Sequence, residues 1–225
     1  MRIAVVMPAL NEEQALPLVL GELPRTGIEQ IIVVDNGSTD GTAAAARAAG
    51  ATVIHEPRRG YGRACLSGLA ALGPTIETVA FLDADHADYA EELPMLLAPI
   101  ADGRADVVIG TRTADPSARR ALTPQQRFGN ALACWMIQQL WNARFTDLGP
   151  FRAIRRDALD RLGMRDAGFG WTVEMQVKAA QSGLRIVEVP VRYRARVGRS
   201  KISGTITGTL RAGWGILTTI LRYAV

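Results

Sequence analysis

Lysine is almost missing from this chain: of its 26 basic residues, all but Lys178 and Lys201 are arginine. Arginine's planar fork suits carboxylate and phosphate partners, so a net charge of +4 and a pI near 9.5 point to anionic ligands or an anionic membrane surface. Cysteine is as scarce. Cys65 and Cys134 lie far apart in apolar, helix-like contexts without metal-ligand spacing, which excludes a disulfide scaffold and suggests a reducing compartment. No internal repeat or low-complexity linker occurs, and Met1–Met7 enters a strand pattern without a secretory leader, so a cytoplasmic setting is expected. Nor is there a long uncharged apolar run. The tail 206–225 comes nearest, but a spanning helix needs ~20 apolar residues and Arg211 interrupts this one.

What is present is an ordinary globular composition, 48% hydrophobic and 21% charged over 225 residues, enough for one large core. Short β-branched runs alternate with helix-like segments, the pattern of an α/β domain with a mostly parallel sheet. Strands are expected at 3–7, 30–34, 52–55, 79–82, 106–109 and 184–193. Helices are expected after Pro17, from Asp40 as N-cap to Gly50, and over 123–141. In that last helix Phe128, Leu132, Trp135, Met136 and Leu140 recur at helical spacing, and core packing is the expected use of them.

Open α/β sheets bind ligands where their strands end, so the strand-exit loops are the place to seek function. The fourth strand runs into Asp83-Ala84-Asp85-His86-Ala87-Asp88. Two carboxylates one residue apart at the end of a buried strand can share a divalent cation and leave its other positions to water and phosphate. A solvated turn or helix cap is the competing reading. His86 is read as merely hydrogen-bonded, and Asp88 either as a supplementary ligand or as a cap. The loop 35–42 offers Asp35, Gly37 and Ser38 to a base, ribose or phosphate, or simply turns the chain into a helix. Arg59-Gly60 ahead of the next helix suits a diphosphate.

The segments Val6–Glu13, Val34–Thr42, Phe81–Asp85, Ile109–Arg112 and Arg196–Lys201, taken in that order, resemble the inverting glycosyltransferases of family 2. The branch they are most similar to contains dolichyl-phosphate mannose synthase and bacterial polyprenyl-phosphate sugar transferases. The resemblance implies a single GT-A (Rossmann-like) α/β domain over 1–204, with a nucleotide-sugar half at 1–112, an acceptor half at 113–204 and an amphipathic helix at 205–225. It implies a nucleotide site built from Pro8, Ala9, Asn11, Glu12, Asp35, Gly37, Ser38, Arg59, Gly60 and Ala84. Mg2+ or Mn2+ would sit on Asp85, with Asp83 and Asp88 beside it, and Arg112 would join Asp83 and Asp85 in catalysis. The implied reaction moves a sugar from a UDP- or GDP-sugar to a polyprenyl or dolichyl phosphate at a membrane surface, with no nucleic acid involved. One departure stands out: relatives often carry a polar residue where this chain has Ala87.

On the acceptor side Thr146–Arg152 resembles the family's segment near the acceptor, which implies that Asp147 approaches the sugar and Arg152 the phosphates. Glu174 is either a general base for a hydroxyl acceptor or a solvated helix residue, since an ionised phosphate acceptor needs no base. Arg196, Ser200 and Lys201, in a basic glycine-containing loop after a strand, are candidates for gripping phosphate and closing over the donor. The tail helix reads as interfacial, as packing, or as a dimer contact. Rival readings are an enzyme with a soluble hydroxyl acceptor, a sugar nucleotidyltransferase, disfavoured because Pro8–Glu13 is not glycine-rich and basic, and a non-catalytic nucleotide-sugar sensor.

Overall fold

A computed structural model describes residues 1–114, 116–198 and 206–224. The β-branched runs become the strands β1 (Ile3–Ala9), β2 (Ile28–Asp35), β3 (Thr52–His55), β4 (Thr78–Phe81), β5 (Val107–Thr111), β6 (Arg152–Arg155) and β7 (Ile186–Pro190). They form one sheet in the order β3-β2-β1-β4-β6-β5-β7, parallel except for β6, which runs antiparallel to both β4 and β5. The sheet is thus mostly parallel and flanked by helices, and strands from both halves of the chain share it.

Period-two alternation divides the core between the two faces. Ile3, Val5 and Met7 of β1 meet α1 (Leu16–Glu22), α2 (Thr42–Ala48) and α4 (Leu93–Ala101). Ala4 and Val6 face the other layer, made of α3 (Tyr61–Ala70), α6 (Pro124–Trp141), α7 (Arg156–Leu162), α8 (Trp171–Gln181) and α9 (Ile206–Ala224). A short α5 (Pro116–Ala121) leads into α6. In α3, a Cβ on Gly68 would lie 2.5 Å from Val6 Cγ1, so glycine there lets the helix approach β1 closely.

Four findings differ from the sequence expectations. Strand β6 was unexpected; its Arg-Ala-Ile-Arg sequence hides the pattern because the fully buried Arg152 occupies an interior position. The last expected strand is shorter, running from Ile186 to Pro190. Helix α2 starts from Gly41 rather than Asp40, although Asp40 Oδ1 still accepts from Thr42 N at 3.0 Å. On α6, Phe128, Trp135 and Leu140 are not core: they project into solvent while Ala133, Cys134 and Ile137 pack inward.

Candidate active site

Because β1, β2, β4 and β5 are parallel, their C-terminal ends meet along one edge of the sheet. β1 leads into Asn11, held left-handed at φ 54°, whose Oδ1 accepts from Thr39 N at 2.8 Å while its own N donates to Ser38 Oγ at 2.9 Å. Glu12 N donates to Thr42 Oγ1 at 2.8 Å. Asn36 ties the next two loops together, donating to the carbonyls of Glu56 and Arg58 and accepting from Gly60 N. Gly37 has φ 76°, a conformation glycine adopts without strain, and the Arg59 side chain lies against it. These contacts join Asn11, Glu12, Gly37, Ser38, Arg59 and Gly60 into one wall, with Pro8 and Ala9 at the end of β1 opposite Val34 and Asp35. Asp35 is buried beneath them, its Oδ1 accepting from Ser38 N and its Oδ2 lying 3.2 Å from His55 Nδ1. Burial works against its ionised form, but the Ser38 and His55 contacts outweigh it and hold the carboxyl below its usual range. A recess of about 220 Å³ lies between Asn11–Ala15, Asp40 and the Val197-Gly198 turn.

The acidic stretch follows β4. Tyr61 OH donates to Asp83 Oδ1 at 3.0 Å, and burial followed by the neighbouring Asp85 charge pushes the Asp83 carboxyl up. Ala84 is buried between them. Asp85 Oδ1 accepts from Ala87 N, and its Oδ2 lies 2.8 Å from Arg196 Nη1. Asp88 is buried with no hydrogen-bond partner among the described residues on either carboxylate oxygen; burial raises its pKa and Arg112 is its chief compensating charge.

The strap after β7 lies along this stretch. Arg194 N donates to Ala87 O, Val197 N donates to Asp85 O, and Tyr193 bridges Asp88. Tyr89 is covered by Arg192 and Arg194, each 4.1 Å from its ring centre. Glu22 links Arg194, at 2.6 Å, to His86 Nε2, at 2.8 Å. His86 is therefore a hydrogen-bonded anchor, as its sequence context suggested.

Arg112 follows β5 and is held by Asp147: its Nε and Nη2 each donate at 2.8 Å to that fully buried carboxylate, and its ring neighbour is Tyr193. Asp147 thus orients Arg112 instead of reaching for a sugar.

Two sequence candidates are placed elsewhere. Arg152 is fully buried, donating to Gly149 O, Thr172 O and Gln176 Oε1, so its guanidinium braces the interior rather than meeting phosphate in the cleft. Glu174 is also fully buried, accepting from Arg165 N, Asp166 N and Tyr223 OH and ion-paired with Lys178 at 2.8 Å. Burial opposes its charge, but the Lys178 and Tyr223 contacts prevail and hold its pKa below the usual value, which suits a structural anion and not a base. Ser200 and Lys201 lie outside the described residues. Sequence reasoning missed Tyr61, Tyr193 and Glu22 as partners of the site, and named Asp147 for the sugar and not for its hold on Arg112; each reaches the site from a distant part of the chain.

Asp83 and Asp85 supply hard oxygen donors, and the orphaned oxygens of Asp88 show unspent anionic capacity nearby, so the edge fits a divalent cation that keeps most of its shell for water and phosphate. A closed three-carboxylate cage does not fit: among the described residues no three acidic, histidine or cysteine side chains converge to hold an ion.

A parallel sheet with nucleotide-sized loops and an acidic pair on one edge defines a GT-A type transferase domain. Its shape matches glucosyl-3-phosphoglycerate synthase of Mycobacterium tuberculosis, solved with Mn2+, UDP-glucose and phosphoglyceric acid, with a TM-score of 0.77 at 23% identity over 99% of this chain and 79% of that one. The chain belongs to glycosyl transferase family 2, whose sequence pattern matches residues 4–163. It is a glycosyltransferase. An uncharacterised glycosyltransferase of Mycobacterium tuberculosis is 40% identical over 93% of this chain and 94% of its own length. The undecaprenyl-phosphate mannosyltransferase of Micrococcus luteus is 34% identical, covering 92% and 90%, and the dolichyl-phosphate hexose transferase of Haloferax volcanii is 35% identical, covering 89% and 86%.

Proposed function

We propose that the enzyme transfers a sugar, with inversion, from a UDP- or GDP-sugar to a polyprenyl or dolichyl phosphate. The observation that carries this reading is the Asp83–Asp85 pair with Arg196 on Asp85, an acid–base balance suited to a diphosphate leaving group. Mg2+ or Mn2+ bound there would neutralise the charge that gathers on the departing nucleoside diphosphate. The wall from Pro8 to Gly60 holds the nucleotide, and the half 1–112 presents the donor. Arg196 and Arg112 face the phosphates, and the half 113–204 receives the acceptor. Arg112, fixed in direction by Asp147, needs no reorganisation as charge develops.

The acceptor is inferred from two supports. Relatives of this chain are named for undecaprenyl and dolichyl phosphate. A phosphate oxygen is already ionised near neutral pH, and Glu174, the base a hydroxyl acceptor was expected to use, is enclosed by donors. The test is a panel of UDP- and GDP-sugars with polyprenyl phosphate and Mg2+ or Mn2+, read by nucleoside diphosphate release. Release that depends on both metal and lipid phosphate is expected. Release with a soluble hydroxyl acceptor alone would replace the acceptor, and donor binding without release to any acceptor would make the protein a sensor.

A further inference from the structure

Most of the large apolar side chains exposed among the described residues sit on two helices. Phe128 (72% exposed), Trp135 (58%) and Leu140 (46%) are on α6, and Trp214 (72%) and Leu221 (55%) are on α9. The two helices pack against each other. Phe128 and Trp135 are seven residues apart, as are Trp214 and Leu221, so each pair forms one stripe along its helix. The stripes point outward, while Ala133, Ile137 and Ile220 are buried. Clustered exposed aromatics of this kind mark an interaction surface.

The charge around them identifies the partner. From Pro116 to Thr146, which spans α5 and α6, the chain carries four arginines and no acid, and α9 carries two arginines and no acid; the remainder holds twenty basic and 22 acidic residues. Arg119, Arg120, Arg127, Arg144 and Arg222 are exposed. A second copy would bring like charge against like, which disfavours self-association through this face. Tryptophan with arginine around it is instead the composition that settles at the boundary between lipid headgroups and acyl chains. None of the described helices is long and apolar enough to cross a membrane, so the contact is with a surface.

We propose that the α6–α9 face docks on an anionic lipid bilayer, Phe128, Trp135 and Trp214 entering the headgroup boundary and the surrounding arginines meeting lipid phosphates. Its purpose rests on the lipid-borne acceptor inferred above; the docking itself does not. Co-sedimentation with phosphatidylcholine vesicles, with and without phosphatidylglycerol, tests it. Binding to the anionic vesicles should be about tenfold tighter or more, and should weaken with salt. The triple variant Phe128→Ser, Trp135→Ser, Trp214→Ser should lose roughly tenfold or more in partitioning. Arg119→Gln, Arg120→Gln and Arg127→Gln together should erase the anionic preference. Unchanged circular dichroism, and unchanged turnover of a short water-soluble prenyl phosphate, would show that the triple variant is folded. Vesicle binding that ignores lipid charge, or that the triple variant retains, overturns the proposal, as does a dimer in sedimentation equilibrium that this variant abolishes. Docking without glycosylation of polyprenyl phosphate would sink the acceptor reading and leave the surface standing.

Discussion

Two sets of buried carboxylates in this protein have opposite circumstances. Glu174 accepts from two backbone amides and a tyrosine and pairs with a lysine, and Asp106 is met by Arg185 and Arg155. Asp83, Asp85 and Asp88 crowd the end of β4 with Arg196, Arg112 and one tyrosine among them, and the Asp88 carboxylate has no hydrogen-bond partner among the described residues. Burying a charge is costly unless it is fully partnered. Where partners are supplied in full, the acid holds elements together; where they are not, the acids keep the capacity on which the proposed metal site draws.

Asp85→Ala draws that contrast most sharply. Turnover should fall by about 10³-fold or more, as when a key electrostatic stabiliser is lost, while the melting temperature stays level or rises because a strained cluster is relieved. Retention of metal-dependent nucleoside diphosphate release would erase the contrast. Glu174→Ala should do the reverse, costing about 3–5 kcal/mol of stability by leaving Lys178 and two amides without their anion, with turnover per folded molecule preserved; denaturant titration together with rates normalised to folded protein would show it.

Asp106→Asn should cost about 1–2 kcal/mol near neutral pH. The Arg185 hydrogen bonds push the Asp106 carboxyl down to about 2, below its unfolded value. Its contribution is therefore present above about pH 4 and fades as pH falls through about 2. The gap between wild-type and variant melting curves should close across that window, and a constant gap would mean that the ion pairs are not its source. The smallest effect should come from Tyr61→Phe, which removes one neutral donor from Asp83: roughly tenfold or less in rate, and about 1 kcal/mol or less in stability. A loss as large as that of Asp85→Ala would place Tyr61 in the chemistry itself.

Much of this arrangement was legible before any coordinates. Strands β1, β2, β4 and β5 announced themselves because buried parallel strands are near-continuous apolar runs, the edge strand β3 by its short β-branched run, and Asp83–Asp85 stood out because it closes one of the buried strands. Strand β6 did not, since its inward position holds Arg152, a charge the surroundings neutralise through carbonyls far off in sequence. Helix α6 showed its period but not which stripe would be covered: helical spacing is the same for a buried row and an exposed one, and α9, which packs against α6, begins some 80 residues later. The partners of the acidic edge, Tyr61, Tyr193, Glu22 and Asp147, likewise come from separate segments, so their convergence is a property of topology.

The Arg196–Asp85 ion pair has a kinetic consequence. Tethered through Val197 N to the Asp85 carbonyl, the guanidinium is held at high effective concentration beside the carboxylate. Any cation arriving from solution competes with an intramolecular rival, so Asp85 is already paired at rest although the edge as a whole stays rich in acid. A phosphate that draws Arg196 toward itself frees Asp85 in the same movement. Anion arrival and carboxylate release are thereby linked, so each should strengthen the other by the same factor.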